Sequence, residues 1–271
     1  MIDLCVVSFN TQDVLNRLIT VLYQSDHPNW KLYVADNGSG DTSPEFIKSD
    51  PRIDEYRLNE NIGYARACNQ LASLGSGDII GLLNSDIWFT SEDVDAIQAS
   101  FDADPEMAIM GPKQRDEHGY IVHAGILGTN DKPRHRGWKE LDTLDRLYRD
   151  KVEAVTVSGS AYFIRRSVWE TLSRDCDYTM WLADLADQGF IPRNYEPVGA
   201  FLPTPHYYEE TWCSYFARSQ GFKSYYDGSI SIGHSWHASH DHGSVADTSH
   251  FRISQNLFRM SCDKFGIQHE W

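Results

Sequence analysis

The chain has 271 residues, long enough to bury a substantial core, and one α/β domain spanning 1–271 is expected in preference to a domain with a small satellite. Its 39 acidic and 24 basic side chains give a formal charge of −15, which opposes binding to nucleic acid or to an anionic lipid surface. No stretch reaches the roughly 20 apolar residues of a membrane span, and no basic leader precedes the first strand. The five scattered cysteines lack metal-site spacing, so a soluble, unprocessed, cytoplasmic protein with reduced thiols is expected.

In chain order, Ile2 to Ser8 is a continuous apolar strand. Gln12 to Gln24 follows as a helix with Val14, Leu15, Leu18, Ile19 and Leu22 on one face, and Lys31 to Ala35 is the next strand. A helix near Tyr64 to Leu74 feeds the strand Ile79 to Leu83. Another helix runs from Ser91 to Asp102, with Ser91 as its cap and Glu92 and Asp93 in its first turn. Such βαβ units predict a doubly wound, mostly parallel sheet with helices on both faces, and a ligand beyond the carboxyl ends of the strands. From Arg115 to Lys151 the pattern loosens into a Gly-, His- and charge-rich stretch that is either a long loop or a small subdomain. Helices return at Ser167 to Leu172, Glu210 to Gln220 and Phe251 to Phe265. The basic clusters Arg134-His135-Arg136 and Arg165-Arg166 are each large enough to meet one phosphate group.

Polar segments close the strands. Val6 to Thr11 ends the first, Val34 to Asp41 the second, and Gly81-Leu82-Leu83-Asn84-Ser85-Asp86 breaks from apolar residues into a tripeptide that ends in a carboxylate; Asn61 to Asn69 opens a helix. Downstream stand His123 to Gly128, Ser158 to Arg166, Glu209-Glu210 with Gly221 beyond, and Ile232-Gly233-His234. In this order the segments resemble family 2 glycosyltransferases of the GT-A fold, the group that includes rhamnosyl- and galactosyltransferases, and the likeness covers nearly the whole chain.

The resemblance implies an inverting, metal-dependent transfer of a sugar from a nucleotide-diphosphate donor to a hydroxyl of a carbohydrate, glycolipid or protein acceptor. Residues 1–112 would bind the donor and 113–271 the acceptor. Ser8, Asn10, Asp36, Gly63 and Asn69 would line the nucleotide pocket beside Ser85 and Asp86. Asp36 can accept a hydrogen bond from a nucleobase N–H, and Gly38 lets the backbone approach the ligand. Asp86 is the candidate ligand for Mg²⁺ or Mn²⁺, standing alone because Asn84 occupies the first position of the family's Asp-x-Asp element. His234 matches a histidine near the diphosphate and metal. His237, His240 and His242 fit no standard zinc set. The acceptor's base maps to Glu210, with Glu209 open as the alternative. Trp138, Tyr162, Tyr207, Tyr208, Trp212 and Trp236 would flank the acceptor. A nucleotidyltransferase with a related sheet, or a non-catalytic nucleotide-sugar-binding module, remains the alternative reading.

Overall fold

The computed structural model describes residues 1–25, 29–193, 199–235 and 249–269. The N-terminal half contains β1 (Ile2–Ser8), α1 (Gln12–Leu22), β2 (Trp30–Asp36), α2 (Ser43–Ser49), β3 (Glu55–Leu58), α3 (Tyr64–Ala72), β4 (Ile79–Asn84), β5 (Ile87–Trp88) and α4 (Ser91–Ala103). Then follow β6 (Met107–Arg115), β7 (Ile121–His123), β8 (Ile126–Thr129), β9 (Lys132–His135), β10 (Lys151–Ala154), β11 (Ala161–Arg165), α5 (Arg166–Ser173), α6 (Cys176–Asp187), α7 (Glu209–Ser219), β12 (Lys223–His234) and α8 (Ser249–Phe265).

The main sheet has the order β10-β12-β6-β11-β4-β1-β2-β3, with β5 paired to β12 and β7 to β6. β1 lies between β2 and β4, parallel to both, which explains its unbroken apolar run: a central strand with both faces covered has no solvent side. Its alternate residues divide between two cores. Ile2, Leu4 and Val6 pack with α1 and α4, whereas Cys5 and Val7 pack with α3 and the C-terminal helices. Burying a side chain of this size stabilises by about 1.5–3 kcal/mol, so two clusters on opposite faces hold the sheet rigid beneath its strand ends.

The doubly wound, mostly parallel sheet expected from sequence is present, with antiparallel additions at β10, β5 and β7 and one antiparallel strand inside it. β11 runs antiparallel between β4 and β6, and β12 then runs parallel to β6. At α4 the cap is Thr90, not Ser91: Thr90 and Asp93 form a reciprocal capping box, while the Ser91 hydroxyl donates to the Leu22 carbonyl.

The segment after Arg115 is ordered. β8 and β9 form a hairpin, and Lys113, fully buried on β6, reaches Asp142 and the Leu147 carbonyl at 2.5 Å and Asp145 at 2.7 Å. One buried ammonium thus fixes a stretch with no periodic pattern of its own, because an unpaired charge there would be very costly. Arg165 and Arg166 are structural and do not form a phosphate site. Arg165 donates to the Phe101, Asp104 and Met107 carbonyls, and Arg166 binds Asp3 at 2.6 Å and the Ala72 and Gly77 carbonyls.

Candidate active site

A cleft of about 490 Å³ opens at the carboxyl ends of β1, β2 and β4 and is closed on its far side by the start of α7. That volume lies within the range of small-molecule sites. Gly63, Ser85, Asp86, His234, Glu209 and Glu210 all line it.

Asp86 stands in the turn between β4 and β5. The two-residue β5 pairs antiparallel with the end of β12, setting His234 opposite Ile87, and the Ser235 amide donates to the Asp86 carbonyl at 2.8 Å. This pairing brings residues 148 positions apart in sequence together, with His234 Nε2 3.3 Å from Asp86 Oδ1. Asp86 Oδ1 is buried and has no hydrogen-bond partner among the described residues. His234 Nδ1 lies 3.1 Å from Gln114 Oε1, which also accepts from the Ser160 hydroxyl at 2.7 Å. A carbonyl oxygen only accepts, so in this arrangement Nδ1 carries a proton and Nε2 faces Asp86. A bare carboxylate oxygen and an oriented imidazole fit a divalent cation, and the oxygen–nitrogen set suits Mn²⁺ better than Mg²⁺, which prefers oxygen alone. Among the described residues no group of three or more His, Cys, Asp or Glu side chains could hold a metal, so a cation held here would need ligand oxygens and water to complete its coordination. His237, His240, His242 and Trp236 lie outside the described residues.

The opposite wall is built by strain and burial. Tyr207 and Tyr208 both have left-handed backbone, with φ of 69° and 70°, a conformation that costs bulky side chains energy. Packing against α8 maintains it: Tyr208 stacks on Phe258 at 5.0 Å, and Tyr207 meets Phe251 at 5.9 Å. The double kink aims the N-terminus of α7, and with it Glu209 and Glu210, into the cleft. Glu209 is buried and accepts from the Thr204 hydroxyl at 3.1 Å. Burial first, then the charge of Glu210, pushes its pKa up to about 8 from an ordinary 4.5. Glu210 is also raised, by burial, and accepts from the Thr211 hydroxyl at 3.1 Å. Its carboxyl sits against Gly159, where a Cβ would lie 3.2 Å from the carboxyl carbon.

The raised Glu209 has a consequence for stability. The folded protein keeps this proton at pH values where the unfolded chain has released it, so the stabilisation is complete below about pH 4.5 and is lost as pH approaches 8. Glu209→Gln cannot ionise. Thermal unfolding should therefore fall less steeply between pH 5 and pH 8 in this variant than in the wild type, and identical slopes would remove Glu209 as the source.

The other sequence-predicted residues do not line the cleft. The Ser8 hydroxyl meets Thr11, which meets Ser85, in a buried relay at 3.0 and 2.8 Å. Asn10 joins the ends of β1 and β2 through the Ser39 hydroxyl and the Gly40 amide. Asp36 is buried; Oδ2 accepts from the Gly38 and Ser39 amides at 3.1 Å, while Oδ1 has no partner among the described residues. Gly38 is required by backbone contact, since its φ is 85° and a Cβ would stand 2.7 Å from the Asn61 nitrogen. The Asn69 side chain bonds both the Phe201 carbonyl and the Phe201 amide, tying α3 to the segment after 199.

Of the aromatic residues expected around an acceptor, Tyr162 and Trp212 are core residues with no exposure, Tyr208 packs on α8, and Tyr207 lines the cleft. Two contributors were not assigned from sequence. Phe9, 40% exposed on the cleft wall at the end of β1, offers an apolar face. Gln114 orients His234, and a lone Gln within a strand gives no signal of such a role.

The family model described as Glycosyl transferase family 2 matches residues 3–172. The putative teichuronic acid biosynthesis glycosyltransferase TuaG of Bacillus subtilis (strain 168) is 27% identical over 90 residues, which cover 32% of this chain and about a third, 36%, of that protein. The crystal structure of GalNAc-T7 with UDP, GalNAc and Mn²⁺ superposes with a TM-score of 0.64 at 13% identity, covering 98% of this chain and 50% of that one. The mannosyltransferase PcManGT from Pyrobaculum calidifontis, in complex with GDP-Man and Mn²⁺, gives 0.55 at 11% identity, covering 98% and 72%. A mixed sheet with this strand order, a cleft at its carboxyl edge and a family match over more than half the sequence place the chain in glycosyl transferase family 2, with the GT-A fold.

Proposed function

We propose that the protein transfers a sugar from a nucleotide-diphosphate donor to an acceptor hydroxyl with inversion at the anomeric carbon, using a divalent metal. The observation that carries this reading is that one cleft holds a bare carboxylate beside an oriented imidazole on one wall and a paired carboxylate of raised pKa on the other. Asp86 and His234 would hold Mn²⁺ or Mg²⁺. When bound, such an ion offsets the negative charge that builds on a departing diphosphate. Glu210 takes the proton of the acceptor hydroxyl as its oxygen forms the new bond to the anomeric carbon, while the bond from that carbon to the diphosphate breaks on the opposite face. Burial and the Glu210 charge favour a proton on Glu209, and Glu210 is assigned as the base of the pair.

UDP and GDP-Man, the ligands of the structural neighbours, motivate a uridine or guanosine donor, with a carbohydrate, glycolipid or protein acceptor. Residues 1–112 serve the donor and residues 113–271 the acceptor, except that Gln114 and His234 reach across to the diphosphate side. Phe9 on the cleft wall stacks on the base, and Asp36, whose unpartnered Oδ1 is buried and does not line the cleft, accepts the base N–H once the turn after β2 opens to it. The test is calorimetric titration of UDP and GDP with and without Mn²⁺; the reading requires one of them to bind more tightly with the metal. Asp36→Asn keeps an acceptor for the turn but turns the second oxygen into a donor. It should weaken binding of that nucleotide by roughly 1.5–3 kcal/mol, about 10- to 150-fold. An unchanged dissociation constant would leave Asp36 as a turn residue only.

A further inference from the structure

Within the excursion between β6 and β11, one stretch is locally basic in an otherwise acidic chain. Residues 132–151 hold seven lysines and arginines and four acids, within a protein of formal charge −15. Lys113 draws Asp142 and Asp145 inward, and Asp150 is bonded to Arg136 at 2.9 Å. Arg134, Arg146 and Arg149 are exposed and form no ion pair among the described residues. At about 0.15 M salt, charges more than roughly 8 Å away are screened, so the local sign governs what this surface meets.

The same excursion exposes apolar side chains. Leu144 is 68% exposed, Leu141 55%, Tyr120 43%, and Leu147 and Trp138 39% each. They make up five of the twelve large hydrophobic side chains most exposed among the described residues, although residues 120–147 are about a tenth of the chain. Tyr120 bridges to Leu141, and Tyr120 and Trp138 line a shared hollow of about 250 Å³, so these residues adjoin. Scattered single leucines need no explanation; a cluster bordered by unpaired cations does.

We propose that this excursion docks the protein on an anionic lipid bilayer surface. Leu141, Leu144 and Trp138 enter the headgroup boundary, and Arg134, Arg146 and Arg149 meet lipid phosphates. Aromatic and leucine side chains beside basic residues are the composition that lies in such an interface, and each cation held near it tightens binding about fivefold. A carbohydrate platform would use Trp138 and Tyr120 but has no use for three exposed leucines. None of these residues lines the cleft, so lipid binding and sugar transfer are separable.

The test is co-sedimentation of the full chain with vesicles of phosphatidylcholine alone and of phosphatidylcholine with phosphatidylglycerol, with light scattering of the protein without lipid. Binding to the mixed vesicles only is expected. Arg146→Glu with Arg149→Glu should weaken it by at least about tenfold, and Leu141→Ser with Leu144→Ser should weaken it at unchanged net charge. These exposed substitutions leave the core intact, which circular dichroism checks. Absence of wild-type binding to the mixed vesicles, or equal binding by both variants, would overturn the proposal. So would a dimer that dissociates in the leucine variant and ignores lipid, since a second copy would then cover the patch.

Discussion

Glu210→Gln is expected to lower turnover by ~10²–10⁴-fold while the affinity for nucleoside diphosphate stays unchanged. The amide keeps the shape that packs against Gly159 and removes only the basicity. Glu209→Gln should cost far less, because burial and the neighbouring Glu210 charge already favour the protonated, uncharged form of Glu209, which the amide mimics. The sign for wild-type activity follows. A base raised by burial loses function as pH falls through its raised value, so the acid limb of kcat/KM should lie above the ordinary carboxylate range, and in Glu209→Gln it should stay there, because burial and not a charge on Glu209 raises it. Side-by-side pH–rate profiles of the two variants check both statements. Collapse of turnover in Glu209→Gln alone would transfer the role to Glu209, and near-normal turnover in both would end the inverting-base mechanism at this pair.

Asp86→Ala is expected to abolish the metal-dependent part of nucleotide binding. The residue lies in a turn whose backbone contact, the Ser235 amide to its carbonyl, survives the substitution, so the fold should persist. His234→Ala should weaken metal-dependent binding less, since a carboxylate supplies charge as well as a ligand. In the wild type, removal of metal by a chelator should reproduce the Asp86→Ala phenotype. Titration of nucleotide with and without Mn²⁺ measures all three. An Asp86→Ala protein that binds nucleotide with the same affinity and the same metal dependence would remove Asp86 from the metal site.

The donor side of the fold was legible because the physics there is local. β1, β2 and β4 are central strands covered on both faces, so they appear as unbroken apolar runs, and α1, α3 and α4 follow them at helical spacing. The polar residues that end those strands are therefore gathered at one sheet edge by topology alone. The acceptor side was less legible because distant contacts decide it. Nothing in Ala161–Arg165 announces a strand running against its neighbours, and nothing around Lys113 announces that it will organise residues 142–147. Arg165 and Arg166 look like an exposed basic pair until the carbonyls they satisfy are known. The aromatic crowding near Glu209 suggests a sugar platform in sequence, but Tyr162 and Trp212 serve the core. The carboxylate pair itself was visible in sequence; that it turns into the cleft depends on two consecutive left-handed tyrosines held by α8, a conformation that tyrosine's own preferences oppose.

The most direct test of glycosyl transfer is release of free nucleoside diphosphate from a panel of UDP- and GDP-sugars, with Mn²⁺ or with a chelator, for the wild type and Glu210→Gln. Sugar nucleotides are consumed slowly by water even without an acceptor, so the assay does not require one. The account predicts metal-dependent release of diphosphate from at least one donor, suppressed by the chelator and by Glu210→Gln. Release of pyrophosphate or of a sugar phosphate, or binding of every donor without turnover in the presence of Mn²⁺ and candidate acceptors, would contradict it.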